Sequence, residues 1–517
     1  MSNSIRRSAS RLPAGLAILL GTASAHAEIK SDAIRIGVLT DMSGVFATAM
    51  GAGSVEAARM AAEEFGGVIN GKPIQILQAD HQNKPDVAAS IAREWFDRDG
   101  VQAIADGGSS AAALAVQELA RGKQRVFLIS GAGAEQLSGS ACAPTSVQWT
   151  HDSDSTATAV VSGVWKRTRE PWFFITADYA YGHAVEAAAR ARLARLGGKI
   201  AGSVETPLST TDFSALLLQA QASGAKVLAL NAAGGNATAM KQAVEFDLAA
   251  QGMTIVPMSF QNVDIAAVGL PVAQGDLVLT SFFEDESPAA RKWSDAFFAR
   301  RHAMPSQIQA GVYSAVRHYL QAVKDTDSDD AATVMARMKA TPVSDAYTPN
   351  GAIRADQRMA HDLYLVQVKT PAESKGPRDL VKLVATVPPD QAFRPLADSL
   401  CPLVSKSKKV RANGEWRLAL DPRRSPLAPR PSTLAQGKSM SETRIPQQQH
   451  AVLIAAAGAP EVLRLGTFPV PVPGPNEVLI KVAAAGVNRH DCNQRRAGPE
   501  YDPNPVPGWR SWAKSSP

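Results

Sequence analysis

Apolar residues fall along this chain in two alternating rhythms. Runs of strand length such as IRIGVLT (Ile34–Thr40) give way to stretches with one apolar face at helical spacing, such as SVEAARMAAEEF (Ser54–Phe65). An apolar run with no polar face suits a strand buried on both sides, and a 3.6-residue period suits the helix that covers it. The alternation continues through strand Pro73–Asp80, helix Asp86–Asp97, strand Val101–Asp106, helix Ala111–Arg121 and strand Arg125–Ser130. It restarts at strand Trp172–Asp178, followed by helix Gly182–Leu196, strand Lys199–Glu205, helix Asp212–Ser223, strand Lys226–Asn231 and helix Ala237–Ala249. The pattern predicts an α/β chain with two doubly wound lobes, each a parallel sheet covered by helices on both faces. Helix Ile308–Lys324 and the alternating strand His361–Lys369 come later and are expected to complete these sheets. Lobe 1 is therefore expected to span 28–150 plus part of 280–345, and lobe 2 to span 151–279 plus part of 346–405.

Both ends of the chain break the rhythm. At the start, Arg6, Arg7 and Arg11 precede the apolar run Leu12–Gly21, and small residues Ala25 and Ala27 follow. This is the pattern of a secretory signal peptide over residues 1–27, cleaved after Ala27. The apolar run is far shorter than the roughly 20 residues a membrane span needs, which disfavours an anchor. Beyond residue 405, Pro422, Pro426, Pro429 and Pro431 stand among basic and small residues with no apolar periodicity, and a disordered linker is expected over 406–440. A short folded-looking region resumes at AVLIAAAGAPEVLRL (Ala451–Leu465).

Composition changes this picture only where the charge sits. The formal net charge is +6, yet residues 405–440 alone hold nine Lys or Arg against Glu415 and Asp421, and the leader adds three arginines. The remainder is net negative, so a nucleic-acid reading loses its support. Cys142, Cys401 and Cys492 lack metal-ligand spacing. In an oxidising compartment Cys142 and Cys401 could pair, and two buried free thiols are the alternative.

Ligands of open parallel sheets bind beyond the carboxyl ends of the strands, where helix N-termini offer free N–H groups. DGGSSAA (Asp106–Ala112) occupies such a place, with Ser109 and Ser110 able to give hydroxyls and N–H groups to a carboxylate. SGAGA (Ser130–Ala134) follows the next strand in the same way. Plain Gly-rich turns with serine caps are the competing reading of each. In the second lobe, DYAYGH (Asp178–His183) puts Tyr179 and Tyr181 at a strand end, and NAAGGN (Asn231–Asn236) repeats the turn. Tyr181 either closes over a ligand or packs in the core. No G-x-S-x-G elbow, Walker A loop or H-E-x-x-H motif occurs, and the nine histidines are scattered. His183 reads as a surface residue, and the adjacent Asp80 and His81 lack the third group an acid–base site needs. No catalytic residue, metal site or cofactor is expected.

The segments Ile34–Gly66, FFITADYAYGH (Phe173–His183), MPSQIQAGVYSAVRHYLQAV (Met304–Val323) and FRPLADSLCPLV (Phe393–Val404) resemble the periplasmic binding proteins of branched-chain amino acid transporters. The resemblance spans 28–405 and implies a type I periplasmic binding protein: two Rossmann-like lobes on three hinge strands that close on a small solute and dock on an ABC permease. A monomer is expected, with no nucleic-acid partner. By the same resemblance the ligand carboxylate is held by Ser109, Ser110 and the Ala132, Gly133, Ala134 loop. Tyr181, the turn Asn231–Gly235 with Asn231 and Gly234, and Phe260–Gln261 with Gln261 face it from lobe 2. Two positions depart from the family. Ala134 stands where a hydroxyl is frequent, leaving only its backbone N–H, and no acid to pair an α-ammonium is evident at Phe260–Gln261, although Asp264 is close. An unpaired buried ammonium is costly, so aromatic and aliphatic carboxylates rival amino acids and amides as ligands. A ligand-sensing regulator of the same fold is the other candidate, and the export signal argues against it.

Ala451–Gly498 resembles the N-terminal stretch of quinone oxidoreductases of the medium-chain dehydrogenase family. A complete member needs roughly 250 further residues, including its nucleotide-binding lobe, so 441–517 is expected to be a truncated fragment without activity. Codons that can encode Gly508–Pro517, read two bases later, spell LEVVGEIVA. This suggests a one-base deletion, with Met440 as that gene's own start and 406–439 as translated intergenic sequence. Resequencing that shows an intact frame through these ten residues would overturn this origin.

Overall fold

Strands that are apolar on both faces need helices on both sides, and the computed structural model supplies them. It describes residues 28–404 and the short strands 411–412, 415–416, 448–454 and 463–469. The expected signal peptide, nearly all of the 406–440 linker and most of the oxidoreductase-like segment lie outside the described residues. In lobe 1 the strands are β1 (Ile34–Thr40), β2 (Val68–Ile69), β3 (Lys72–Asp80), β4 (Ala103–Asp106), β5 (Val126–Ile129) and β6 (Ser146–Gln148). They lie in the order β2-β3-β1-β4-β5-β6, all parallel except β2. Ile36, Val38, Ala103, Ala105 and Leu128 point to one face, while Leu39, Ile104, Phe127 and Ile129 point to the other. This is the two-residue alternation of a sheet buried twice over. Helix α1 (Gly51–Glu63) covers the first face; α2 (Pro85–Asp97) and α3 (Ser110–Lys123) cover the second.

Lobe 2 repeats the plan with β7 (Trp172–Ala177), β8 (Ile200–Thr206), β9 (Val227–Asn231) and β10 (Thr254–Pro257), all parallel in the order β10-β9-β7-β8. Trp172, Phe174, Val227 and Ala229 pack under α4 (Ser153–Arg167) and α5 (Ala180–Leu196). Phe173, Ile175, Leu228 and Leu230 pack under α6 (Ser214–Ala222) and α7 (Asn236–Glu245). Two short helices, α8 (Asn262–Val268) and α9 (Leu270–Ala273), lead into β11 (Leu277–Thr280).

The chain then returns to lobe 1 with α10 (Pro288–Arg301), α11 (Gln307–Thr326) and α12 (Ala331–Ala340), and α11 is buried along most of its length. The return lasts longer than residue 345, the limit expected from sequence. Val343, Tyr347, Ile353 and Met359 all pack into the lobe 1 core, the last two from the small pair β12 (Ala352–Ile353) and β13 (Met359–Ala360). Only after it does β14 (Leu363–Val368) join β11 and β15 (Val381–Val387) in an antiparallel sheet on lobe 2. The main chain thus crosses between lobes at Trp149–Asp152, at Ser281–Ser287 and at Ala360–Asp362.

The first and third of these crossings are tied together by one buried cation. Arg358 is 1% exposed, and its guanidinium donates to the carbonyls of Thr150 and, at 3.3 Å, His151. Asp152 lies 3.8 Å from its Nε, and the ring of Phe393 stacks 4.3 Å from its Cζ. His361 approaches the same Thr150 carbonyl at 3.3 Å. A fully buried charge persists only with such partners.

After β15 the helical turn α13 (Pro389–Ala392) and Phe393 pack into lobe 2, and Arg394 reaches lobe 1 by pairing with Glu135. The segment ends at Cys401, which forms a disulfide with Cys142 of lobe 1, Cα to Cα 5.6 Å, across 259 residues of sequence. A strap therefore joins the lobes in addition to the three crossings. Within the stretch expected to be structureless, Arg411–Ala412 (β16) pairs with Glu415–Trp416 (β17). The intervening Asn413–Gly414 is the dipeptide most favoured in two-residue hairpin turns. Residues 419–517 form a separate unit, in which β18 (Gln448–Ile454) pairs antiparallel with β19 (Leu463–Pro469).

Replacing Arg358 with Ala leaves Asp152 without its counter-charge and two buried carbonyls without the guanidinium donor, and should cost about 3–5 kcal/mol in urea unfolding. A loss below about 1 kcal/mol would show that this cation does not hold the hinge. Closing a loop as long as the Cys142–Cys401 loop stabilises by about 5 kcal/mol in the chain-entropy account. The Cys142→Ser, Cys401→Ser double variant should accordingly melt well below the parent without reductant, and the two should converge when the parent is reduced.

Candidate functional site

Strand order decides where a crevice opens. In lobe 1 the crossovers diverge between β1 and β4, and in lobe 2 between β7 and β9. The loops beyond those strand ends are Asp41–Met50, Gly107–Ser109, Asp178–Tyr179 and Ala232–Gly235, and each pair flanks a gap at its switch point. The two sets of loops face each other. The rings of Phe46 and Tyr179 lie 6.0 Å apart, and a Cβ added to Gly234 would lie 3.0 Å from the Val45 carbonyl oxygen. Ser153 at the start of α4 donates its N–H to the Gly133 carbonyl at 2.7 Å.

The sequence-selected residues of lobe 1 divide in their roles. Ser109 sits at the N-cap position of α3 with extended backbone but makes no cap bond, and its buried Oγ has no partner. Ser110 begins α3, and its Oγ accepts the N–H of Ala134 at 3.1 Å. That bond corrects the expectation that the Ala134 N–H is left for a ligand: Ser110 uses it to brace one Gly-rich loop on the other. Gln148 holds the same loop from behind, donating to the carbonyls of Ala132 and Ala134 at 3.1 Å each. Gly133 carries no side chain for a physical reason, since a Cβ there would lie 2.5 Å from the Tyr181 ring.

In lobe 2, Tyr181 is only 8% exposed. Its hydroxyl lies 3.3 Å from Thr156 Oγ1, the buried Oγ of Ser259 has no partner, and burial pushes the Tyr181 pKa up to about 12. Its ring packs edge-on against His151, centroids 5.9 Å apart. His151 is kept neutral because burial, with the Arg358 charge behind it, takes its pKa down to about 4; its Nδ1 has no partner. Tyr181 therefore both packs and faces the opposite lobe. Asn231 ends β9 and donates to the Gly182 carbonyl at 2.7 Å, leaving its Oδ1 free. Gly234 is exposed at the rim beside Val45. Gln261 caps α8, and its own N–H is taken by Asp264 at 2.9 Å. Asp264 is thus committed to a capping box, with its pKa raised by burial to about 6.

Phe46, His81, His151, Thr156 and Ser259 were not singled out as site residues from sequence. His81 and His151 had one signal in common, a histidine just past the end of a strand. Elsewhere, Asp178, His183 and Glu205 cluster on the lobe 2 surface, all exposed. Asp178 sits 2.8 Å from His183 Nε2 and Glu205 sits 3.6 Å from Nδ1, so the carboxylates flank opposite ring nitrogens as ion-pair partners. A cavity of about 50 Å³ lies apart from the cleft loops, lined by Asn262, Phe283, Glu284, Met304 and Arg378 among others. Among the described residues, no helix is long and apolar enough to cross a membrane.

A family model described as periplasmic binding protein matches residues 33–377. A periplasmic binding protein of Burkholderia mallei is 43% identical with a TM-score of 0.70, covering 72% of this chain and 100% of that one. A branched-chain amino acid ABC transporter periplasmic ligand-binding protein of Burkholderia xenovorans is 40% identical with a TM-score of 0.66, at the same coverage of 72% and 100%. The Leu/Ile/Val-binding protein homolog 6 of Brucella melitensis is 24% identical over 355 residues, 65% of this chain and 88% of the relative. With its type I fold, its two facing switch points and a match across most of its length, the chain belongs to the periplasmic binding protein family.

Proposed function

We propose that this protein is the solute-capturing component of an ABC importer, closing its lobes on a small carboxylate-bearing solute and presenting it to an inner-membrane permease. The single observation that carries the reading is the polar lining of the cleft. Buried groups normally find hydrogen-bond partners, yet Ser109 Oγ and His151 Nδ1 have none. Ser109 stands at the N-terminus of α3, where free N–H groups and the helix dipole favour an anion. Tyr181 closes against this wall from lobe 2. A ligand that touches both walls stabilises the closed state over the open one, which is all that hinge closure requires. The leader sequence fits export to the periplasm, and the similarity to an ABC transporter ligand-binding protein supports the permease as partner. No catalytic step is proposed. The oxidoreductase resemblance of Ala451–Gly498 is a matter of sequence alone, and we assign that segment no activity.

Thermal-shift titration of the full chain against amino acids, amides, and aliphatic and aromatic carboxylates tests the reading, because a ligand that binds only the folded state raises Tm. One class should give a saturable shift. Ser109→Ala should weaken that ligand about tenfold to a hundredfold, the cost of a hydrogen bond to a charged group. Gly133→Val, which places its side chain in the Tyr181 ring, should abolish the shift while leaving the unliganded Tm near the parent's. A saturable shift that both variants retain would move the binding site elsewhere.

A further inference from the structure

The second crossing borders a cavity of about 50 Å³ that lies apart from the cleft loops and takes its walls from both lobes. Ile265 of α8, Val366 of β14 and Arg378 of the turn before β15 belong to lobe 2, and Phe282 and Phe283 to the crossing. Met304 and Pro305 come from the loop between α10 and α11 of lobe 1. Across this junction Asn262 donates to the Pro305 carbonyl at 2.8 Å, Met304 packs against the lobe 2 core, and Arg378 reaches Asp295 of α10 at 2.8 Å. Such a volume has room for roughly four water molecules, or for one small organic molecule. Rotation of one lobe against the other must change its shape.

The polar groups of the lining are engaged, with one exception. Asn262 spends its Nδ2 on Pro305 and accepts the Val263 N–H on Oδ1 at 3.0 Å, and Thr280 donates its hydroxyl to the Phe282 carbonyl at 2.8 Å. Glu284 is held between Arg291 at 2.8 Å and Arg378 at 2.9 Å. Asp285 also pairs with Arg291, and Asp379 with Lys369. Arg378 gives one Nη to Asp295 and the other to Glu284, and its Cζ lies 4.8 Å from the Phe298 ring. Its Nε is buried without a partner, the one buried polar atom among the lining side chains so left. Buried donors normally find an acceptor. Every lining acid faces a cation and the Arg378 charge faces two acids, so the cavity offers a hydrogen-bond donor but no unbalanced charge. The rest of the wall is apolar, with Val278 and Leu380 beside Ile265, Phe282, Met304 and Val366.

We propose that this cavity is a second binding site, for a small neutral molecule with one hydrogen-bond acceptor, such as a short-chain ketone, whose oxygen takes the Arg378 N–H and whose alkyl part lies among Ile265, Met304 and Val366. It is independent of what the cleft holds. Because its walls belong to both lobes, an occupant favours the lobe arrangement that fits it, and so biases closure and, by linkage, the affinity of the cleft. Saturation-transfer NMR of the full chain with 2-butanone tests the site. The signal should saturate, persist in Gly133→Val, which blocks the cleft, and vanish in Ile265→Phe, which fills the cavity. Met304→Phe fills it from lobe 1 and replaces Ile265→Phe should that variant melt well below the parent. Arg378→Lys keeps the charge toward Glu284 and Asp295 but has no Nε–H, and should weaken 2-butanone about tenfold. Propanoate, of the same size but charged, should bind Gly133→Val at least about tenfold more weakly than 2-butanone, since its charge would be buried without a counter-charge. A signal that never saturates would mean that the cavity takes water alone, and one that survives the filling variant would place the site elsewhere; either overturns the proposal. Propanoate binding as tightly as 2-butanone overturns the assignment of a neutral ligand.

Discussion

A guanidinium held wholly out of water, in contact with two backbone carbonyls, a carboxylate and an aromatic face, sets the geometry of this molecule. Arg358 joins the first crossing strand, through Thr150 and His151, to the start of the third, which it immediately precedes, and to the strap, through Phe393. Each lobe has its own cores on both faces of its sheet, so each can pack independently of the other. What neither lobe supplies alone is the position of the opposite wall. That position is decided where the chain passes between them, and a planar, multidentate donor is well suited to fixing several carbonyls at once.

The site inherits its form from this arrangement. His151 lies one residue past Thr150, so the same knot that aligns the crossing strands aims the imidazole at Tyr181. Gly133 and Tyr181 then meet at a distance that excludes any side chain between them. The polar groups facing the cleft fall into two sets. One set, Ser110, Gln148, Asp264 and Asn236, is spent on holding loops in place. The other, Ser109, His81 and His151, is buried and unspent. Rigid support behind unspent polar groups would suit the recognition proposed above, since little ordering would remain to be done when a ligand arrives.

The strands and helices of both lobes were legible because burial on two faces leaves uninterrupted apolar runs, and β1 begins and ends where its sequence indicates. That the candidate loops lie at strand ends beside the switch points was legible for a topological reason, since it follows from the order of strands and helices. Individual roles were not. Whether the Ala134 N–H meets a ligand or Ser110 depends on how two loops abut, and no spacing in the sequence records that. His81 looked like half of an acid–base pair because Asp80 precedes it, whereas Asp80 caps the neighbouring loop and His81 turns toward Gly108. The late return at Met359 was missed because β12 and β13 are two residues each, too short to carry a period. The β16–β17 pair did have a signal, Asn413–Gly414, which the surrounding prolines and basic residues obscured.

The strap gives the hinge a further property. Because Cys142 lies before the first crossing and Cys401 after the last, all of lobe 2 is enclosed in one covalent ring anchored on lobe 1. A protease that cuts a single exposed loop anywhere inside that ring, such as the turn between β14 and β15, opens the ring without releasing a fragment. Both lobes, their shared knot and the cleft between them would stay on one covalent assembly. In the exported protein proposed above, survival of a first cut would be a form of durability separate from resistance to heat or denaturant.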